Sequence, residues 1–268
     1  MAFNLKNVIA EAKKLGPDMT QATSGGGYTP PAEGFAKLRF VGYYELGQHE
    51  NNYKGQKSVK DKVEAVFELS GPKYPVVEFD GEKRPVRMTV RLNRPINGQL
   101  NVKSQLYKLF TALNYKGTAT HIAELLGEAY VGNVRHNVGT DGKTYANLED
   151  IRKPAVPNPE TGEDVLVNVE PAISEPKLFL WDFATPEMWD SIFIPGEYPA
   201  VEKDGKVVSE ARSRNVIQNK IKAALNFKAS PIFQYATGQV SKGAALALEM
   251  AIGETSQEGA GDPLAGVA

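Results

Sequence analysis

The chain has 268 residues, a formal net charge of −1 and no cysteine. That length suits one large domain or two small ones, and without cysteine there are no disulfides or thiolate metal sites, which fits a reducing compartment. The small net charge hides an asymmetry: residues 1–155 carry 22 Lys and Arg against 16 Asp and Glu, and residues 156–268 carry 9 against 16, so the front half suits an acidic partner.

Leu5, Val8, Ile9, Ala12 and Leu15 recur at helical spacing, predicting a short amphipathic helix that Gly16-Pro17 stops. Met1 to Lys14 lacks the apolar core of a secretion signal. No run of about 18 apolar residues predicts a membrane span. Ser24-Gly-Gly-Gly27 lacks the lysine of a phosphate-binding loop and fits a flexible linker, so residues 1–33 are expected to be helix plus linker.

A β-rich stretch follows. Leu38, Phe40, Tyr44 and Leu46 alternate with Arg39, Val41, Tyr43 and Glu45, which predicts a half-buried strand with Gly42 marking a bulge or bend. Residues 47–60 are polar, with a turn at Tyr53-Lys54-Gly55. Val63, Ala65, Phe67 and Leu69 define a second strand, and Val86, Met88, Val90 and Leu92 a third. Ser104 is placed to cap a helix bearing Leu106, Leu109, Phe110 and Leu113. A short helix over Ile122 to Leu126 ends at Gly127. Tyr130 to His136 and Thr144 to Ile151 predict two strands joined by a turn at Gly139-Thr-Asp-Gly142.

The order strand, strand, strand, helix, strand, strand predicts a mostly β chain with added helices. The expected core is a five-stranded barrel of the oligonucleotide-binding type over residues 34–155, with a sandwich or an α+β sheet as competitors. Five prolines in 154–176 mark a boundary or an extended crossing segment. The dense aromatics Trp181, Phe183, Trp189 and Phe193, and a helix over Val216 to Leu225, predict a smaller α/β extension over 156–252, packing on or beside the barrel. Ala244 to Ile252 suggests one more short helix. Residues 253–268 are expected to be a disordered, mildly acidic tail.

Period two turns Arg39, Tyr43, Lys60, Lys62, Arg87 and Arg91 outward if Leu38, Val63 and Val90 point in. Loops add Tyr53, Lys54, Lys57, Lys83 and Arg84, and the last hairpin adds Arg135, Lys143, Tyr145 and Arg152. Cations follow a phosphate backbone and aromatics offer stacking platforms, so the set predicts a sequence-tolerant single-strand site. Taken singly, each residue is equally at home as a solvated charge or a barrel seal. Catalysis has little support: His49, His121 and His136 lie near no nucleophile motif and at no ligand spacing, so no enzyme, metal or cofactor is expected. Glu78, Asp80 and Glu82 could hold magnesium in a nuclease, but their place around a turn equally suits a solvated loop. In the tail, Glu254, Glu258 and Asp262 precede Pro263-Leu264 and could dock on a partner or compete for the basic face.

The run Leu38-Arg-Phe-Val-Gly-Tyr-Tyr-Glu-Leu-Gly47, then Tyr53-Lys-Gly55 and Asp61-Lys-Val-Glu-Ala-Val-Phe-Glu-Leu69, resembles a family of tailed-bacteriophage single-stranded-DNA-binding proteins. Leu125-Leu-Gly127, Val131-Gly-Asn-Val134 and Gly142-Lys-Thr-Tyr145 extend the resemblance, which covers about residues 36–153. It implies an oligonucleotide-binding fold, coating of single-stranded DNA in replication or recombination, and phage or host replication proteins as partners in the host cytoplasm. Trp181-Asp182 and Met188-Trp-Asp-Ser191 look like the later part of such proteins. The tail departs from the pattern, being only mildly acidic and ending in Gly-Val-Ala. The competing reading is a virion component or a protein that binds a host enzyme, motivated by the acidic, Trp-bearing back half.

Overall fold

The computed structural model describes residues 29–246, apart from 54, 80, 96–98 and 204–205. The expected N-terminal helix, most of its linker, the end of the expected 244–252 helix and the acidic tail lie outside these residues. The described chain is mostly β and is built on a large antiparallel sheet.

β1 (Gly34–Tyr53) and β2 (Gln56–Ser70) make one long hairpin. β3 (Val77–Phe79) and β4 (Glu82–Arg84) form a small hairpin before β5 (Val86–Arg94), which pairs with β2. α1 (Gln105–Leu113) follows, its first turn capped by Ser104 Oγ, which accepts from Tyr107 N at 3.1 Å. A 3₁₀ turn (Ile122–Leu125) leads to β6 (Ala129–Val138) and β7 (Thr144–Arg152). The sheet runs β5-β2-β1-β6-β7. Its two ends approach one another, but no ladder joins them.

Beyond β7 come the hairpin of β8 (Ala155–Pro157) and β9 (Asp164–Leu166), then β10 (Lys177–Phe179). β10 pairs in parallel with β1 over Gly42–Tyr44, beyond the stretch of β1 that β6 covers. α2 (Pro186–Ser191) comes next, capped by Thr185. The short strands β11 (Glu197–Tyr198), β12 (Val201–Lys203), β13 (Lys206–Ser209) and β14 (Arg212–Ser213) form two hairpin-like pairs, β11 with β14 and β12 with β13. α3 (Val216–Lys222), a 3₁₀ turn (Phe227–Ala229) and α4 (Phe233–Ala236) follow, and residues 242–246 are helical.

Two irregularities in β1 decide which side chains meet. Its register against β2 slips between Phe40 and Gly42 and again between Glu45 and Gly47. Each slip inserts one residue, and one extra residue exchanges the two faces of a strand. Leu38 and Phe40 therefore share their side with Tyr43, which packs in the main core with Phe67, Leu106 and Ile122. Tyr44 and Leu46 turn to the opposite side and join a second core with Phe179, Trp181, Trp189, Ile221 and Phe227. The expectation that Tyr43 points outward is thus overturned: it is 1% exposed. The expected loop over 47–60 is corrected too, because both strands continue to a tight tip at Gly55, where φ is +82°.

Gly47, at the second slip, has φ +79°, and a Cβ there would overlap the Trp181 ring and the Ala224 Cβ. Gly47→Ala is expected to cost at least about 2 kcal/mol, from left-handed strain plus overpacking. Both tryptophans lie in the second core. A lowered urea midpoint with altered Trp emission checks this.

Candidate nucleic-acid interface

The outward side of β2 carries Lys62, Glu64, Val66 and Glu68, and that of β5 carries Arg87, Thr89, Arg91 and Asn93, paired across the ladder. Two of these are carboxylates, and both are nearly inaccessible. Their partners explain why. Glu68 accepts from the backbone N–H groups of Ile173 (2.7 Å) and Ser174 (2.8 Å). Glu64 accepts two bonds from Lys220 Nζ (2.7 and 2.8 Å) and one from Arg91 Nε at 3.3 Å. The chain after β9 therefore crosses this face as an extended strap, and α3 docks beside it.

Arg39 belongs to that strap's anchorage. It donates to the carbonyls of Val169 (2.6 Å), Glu170 (2.8 Å) and Gly127 (3.0 Å). These three carbonyls hold the guanidinium in place, which gives Arg39 a structural part in the strap. Arg39→Ala is expected to loosen residues 167–174, raising their amide hydrogen exchange.

The strap leaves the β5 side open. A cavity of about 390 Å³ lies between the outward faces of β1, β2 and β5 (Val41, Tyr44, Val66, Arg87), the β3–β4 hairpin, the strap and the β11–β14 ribbon. Five cations line it, Lys83, Arg84, Arg87, Lys177 and Arg214, against the two carboxylates Glu82 and Glu175. Arg84 pairs with Glu82 at 3.5 Å. Tyr44 is packed against its inner wall, and burial pushes its phenol up to about 12. Arg91 continues the cationic side along β5 with 77% of its side chain exposed. Lys60, which shares the parity of Lys62 and Glu64, extends it along the β1–β2 hairpin and is exposed; Lys57 is exposed too but has the opposite parity. Lys62 is half-buried and donates to Asn51 at 2.8 Å.

The expected residues on the last hairpin do not join this set. None of them lines that cavity. Arg135 pairs with Glu149 (3.2 Å) and Asp150 (3.3 Å), Tyr145 donates to Asp141 at 2.7 Å, and Lys143 lies 3.9 Å from the same carboxylate. Arg152 donates to the Asp150 carbonyl. Tyr53 is the last residue of β1, at the hairpin tip; Lys54, Asp80 and the tail acids Glu254, Glu258 and Asp262 lie outside the described residues. Sequence reasoning missed Lys177, Tyr198, Arg212 and Arg214. The signal was Arg212-Ser-Arg214, two cations one residue apart.

At the end of the main core is a second polar site. The inward sequence of β1, β2 and β5 ends in Glu45, Asp61 and Arg94 rather than in apolar residues. Arg94 binds Glu45 and Asp182 at 2.9 Å each and Asp61 at 3.4 Å. Glu45 also accepts from Trp181 N at 2.8 Å, so one carboxylate ties both cores. Burial raises the pKa of Glu45 and Asp61, and Arg94 opposes it. Burial also pushes the Tyr43 phenol far above its usual range, with the nearby Glu45 adding to the rise. Among the described residues no group of three or more His, Asp or Glu is placed to hold a metal ion, and no helix is long and apolar enough to cross a membrane. No protein-family model matches this chain, and neither a similar curated protein nor a similar solved structure is found.

Proposed function

We propose that the chain binds single-stranded DNA without base specificity, in the groove between β5 and the C-terminal ribbon. The observation that carries the reading is the excess of cations over carboxylates in that groove, continued by exposed Arg91 and Lys60. A polyanion gains from such a row by counterion release. The strand order supports the same reading. Numbering β1, β2, β5, β6 and β7 as one to five, the sheet runs 3-2-1-4-5, with a helix between three and four. That is the order expected of an oligonucleotide-binding barrel, whose ligand face is on strands two and three, here β2 and β5. The resemblance of residues 36–153 to phage single-stranded-DNA-binding proteins points the same way and sets the proposed role, protection of single strands in replication or recombination.

Fluorescence anisotropy with a labelled oligo-dT tests this. Binding should be tight at low salt and fall steeply as salt rises, and a random-sequence single strand should bind equally well. A flat response at low salt overturns the reading and favours a protein-interaction role for the exposed Phe183, Phe193 and Leu225.

A further inference from the structure

We infer that the β11–β14 ribbon carries a base-stacking site, formed by Tyr198 with Arg212 and Arg214 beside it. The inference rests on the reading of the groove as a single-strand site and adds the chemical group recognised there, the face of an unpaired base.

Tyr198 and Arg212 are direct partners in the β11–β14 ladder, and Arg214 follows β14, its N–H donating to the Gly196 carbonyl at 3.0 Å. Their guanidinium carbons lie 5.6 and 5.3 Å from the Tyr198 ring centroid. The ring belongs to neither hydrophobic core and is 45% exposed, yet it lines the same groove as Arg87 and Lys83. Arg214 also lines the groove, and its buried Nε has no hydrogen-bond partner. A tyrosine that stays 45% exposed with two guanidinium groups over its ring presents a flat, cationic stack, a platform for a flat, electron-rich group whose charged backbone runs close by. An unpaired nucleotide is such a group, and every base offers the same face. Guanidinium planes stack on bases as well, so the two arginines extend the platform. The wall opposite, on β5 and the β3–β4 hairpin, is cationic and non-aromatic. The strand is therefore oriented with phosphates toward Arg87 and bases toward Tyr198. In a duplex the base faces are already stacked on one another, so this contact is available only to single strands.

The test uses the full chain and three probes, oligo-dT, an abasic oligonucleotide with the same number of phosphates, and a duplex. Tyr198→Ala is expected to weaken oligo-dT binding about tenfold while leaving the abasic strand and the duplex unchanged, and Tyr198→Trp should restore oligo-dT binding. Equal oligo-dT affinity in Tyr198→Ala and the wild type overturns the stacking site alone. So does an equal loss on the abasic strand, which would make the residue structural. If the wild type binds none of the three probes, the proposed function falls and the stacking site with it.

Discussion

Replacing Arg87 and Arg91 together with alanine is expected to weaken binding to every single-stranded sequence alike, by at least about tenfold at low salt. The slope of log affinity against log salt should become shallower by about 1.4, two phosphate contacts at about 0.7 each on a single strand. The fold should survive. Arg87 is exposed on β5, and when Arg91 leaves, Glu64 keeps both of its bonds to Lys220, at 2.7 and 2.8 Å. The control is a charge-matched pair at Arg135 and Lys143. Neither lines the groove and both already pair with local carboxylates, so their removal should change affinity and slope much less. Equal effects from both pairs would mean that diffuse charge, not this groove, attracts the polyanion.

Arg94→Ala is expected to be the most destabilising single change at a charged residue, costing about 3 kcal/mol near neutral pH. It strips the counter-charge from Glu45 and Asp61, both at most 5% exposed, and from Asp182 at the rim. The cost should depend on pH in a defined direction. Glu45 and Asp61 already have raised pKa values in the folded state. A raised acid binds more protons folded than unfolded, so its contribution is most favourable when protonated and is lost as pH rises through the raised value. Without Arg94 the rise is larger and that window reaches higher. The deficit of Arg94→Ala in urea unfolding should therefore be larger at about pH 8 than at about pH 5. A pH-independent deficit would show that Arg94 acts by packing alone.

Much of the sheet was legible in the sequence, because period-two alternation in β2 and β5 is unbroken. Val63, Ala65, Phe67 and Leu69 all face the core as expected, as do Met88 and Leu92. β1 misled at Tyr43 because alternation assumes a constant register. Gly42 signalled an irregularity, but not that one inserted residue would turn Tyr43 inward and send Tyr44 and Leu46 to a second core. The hairpin tip was legible from Gly55, whereas the strands beyond Gly47 were hidden by their polar residues. These strands extend past the sheet, so neither of their faces is selected for apolar character.

The groove was half legible. Arg87 and Arg91 follow from strand parity and face outward. What the sequence did not reveal is that residues distant along the chain cover part of that outward face and form its second wall. Arg39 shows the limit most clearly. Parity turns it outward, correctly, but only tertiary structure brings the carbonyls of Val169 and Glu170 to it, 130 and 131 residues away. The buried carboxylates Glu64 and Glu68 carry the same message, since two acids on a supposed DNA face make sense only once Lys220 and the strap are seen to satisfy them.

The central claim is that a single strand lies between β5 and the β11–β14 ribbon. Photo-crosslinking the intact chain to an oligonucleotide carrying 5-iododeoxyuridine, then mapping the adducts by peptide mass spectrometry, tests it most directly. The adducts should fall on peptides from both walls, residues 82–91 and 196–214, and should disappear at high salt. Adducts confined to the β6–β7 hairpin or to the strap near Arg39, with none on either wall, would contradict it.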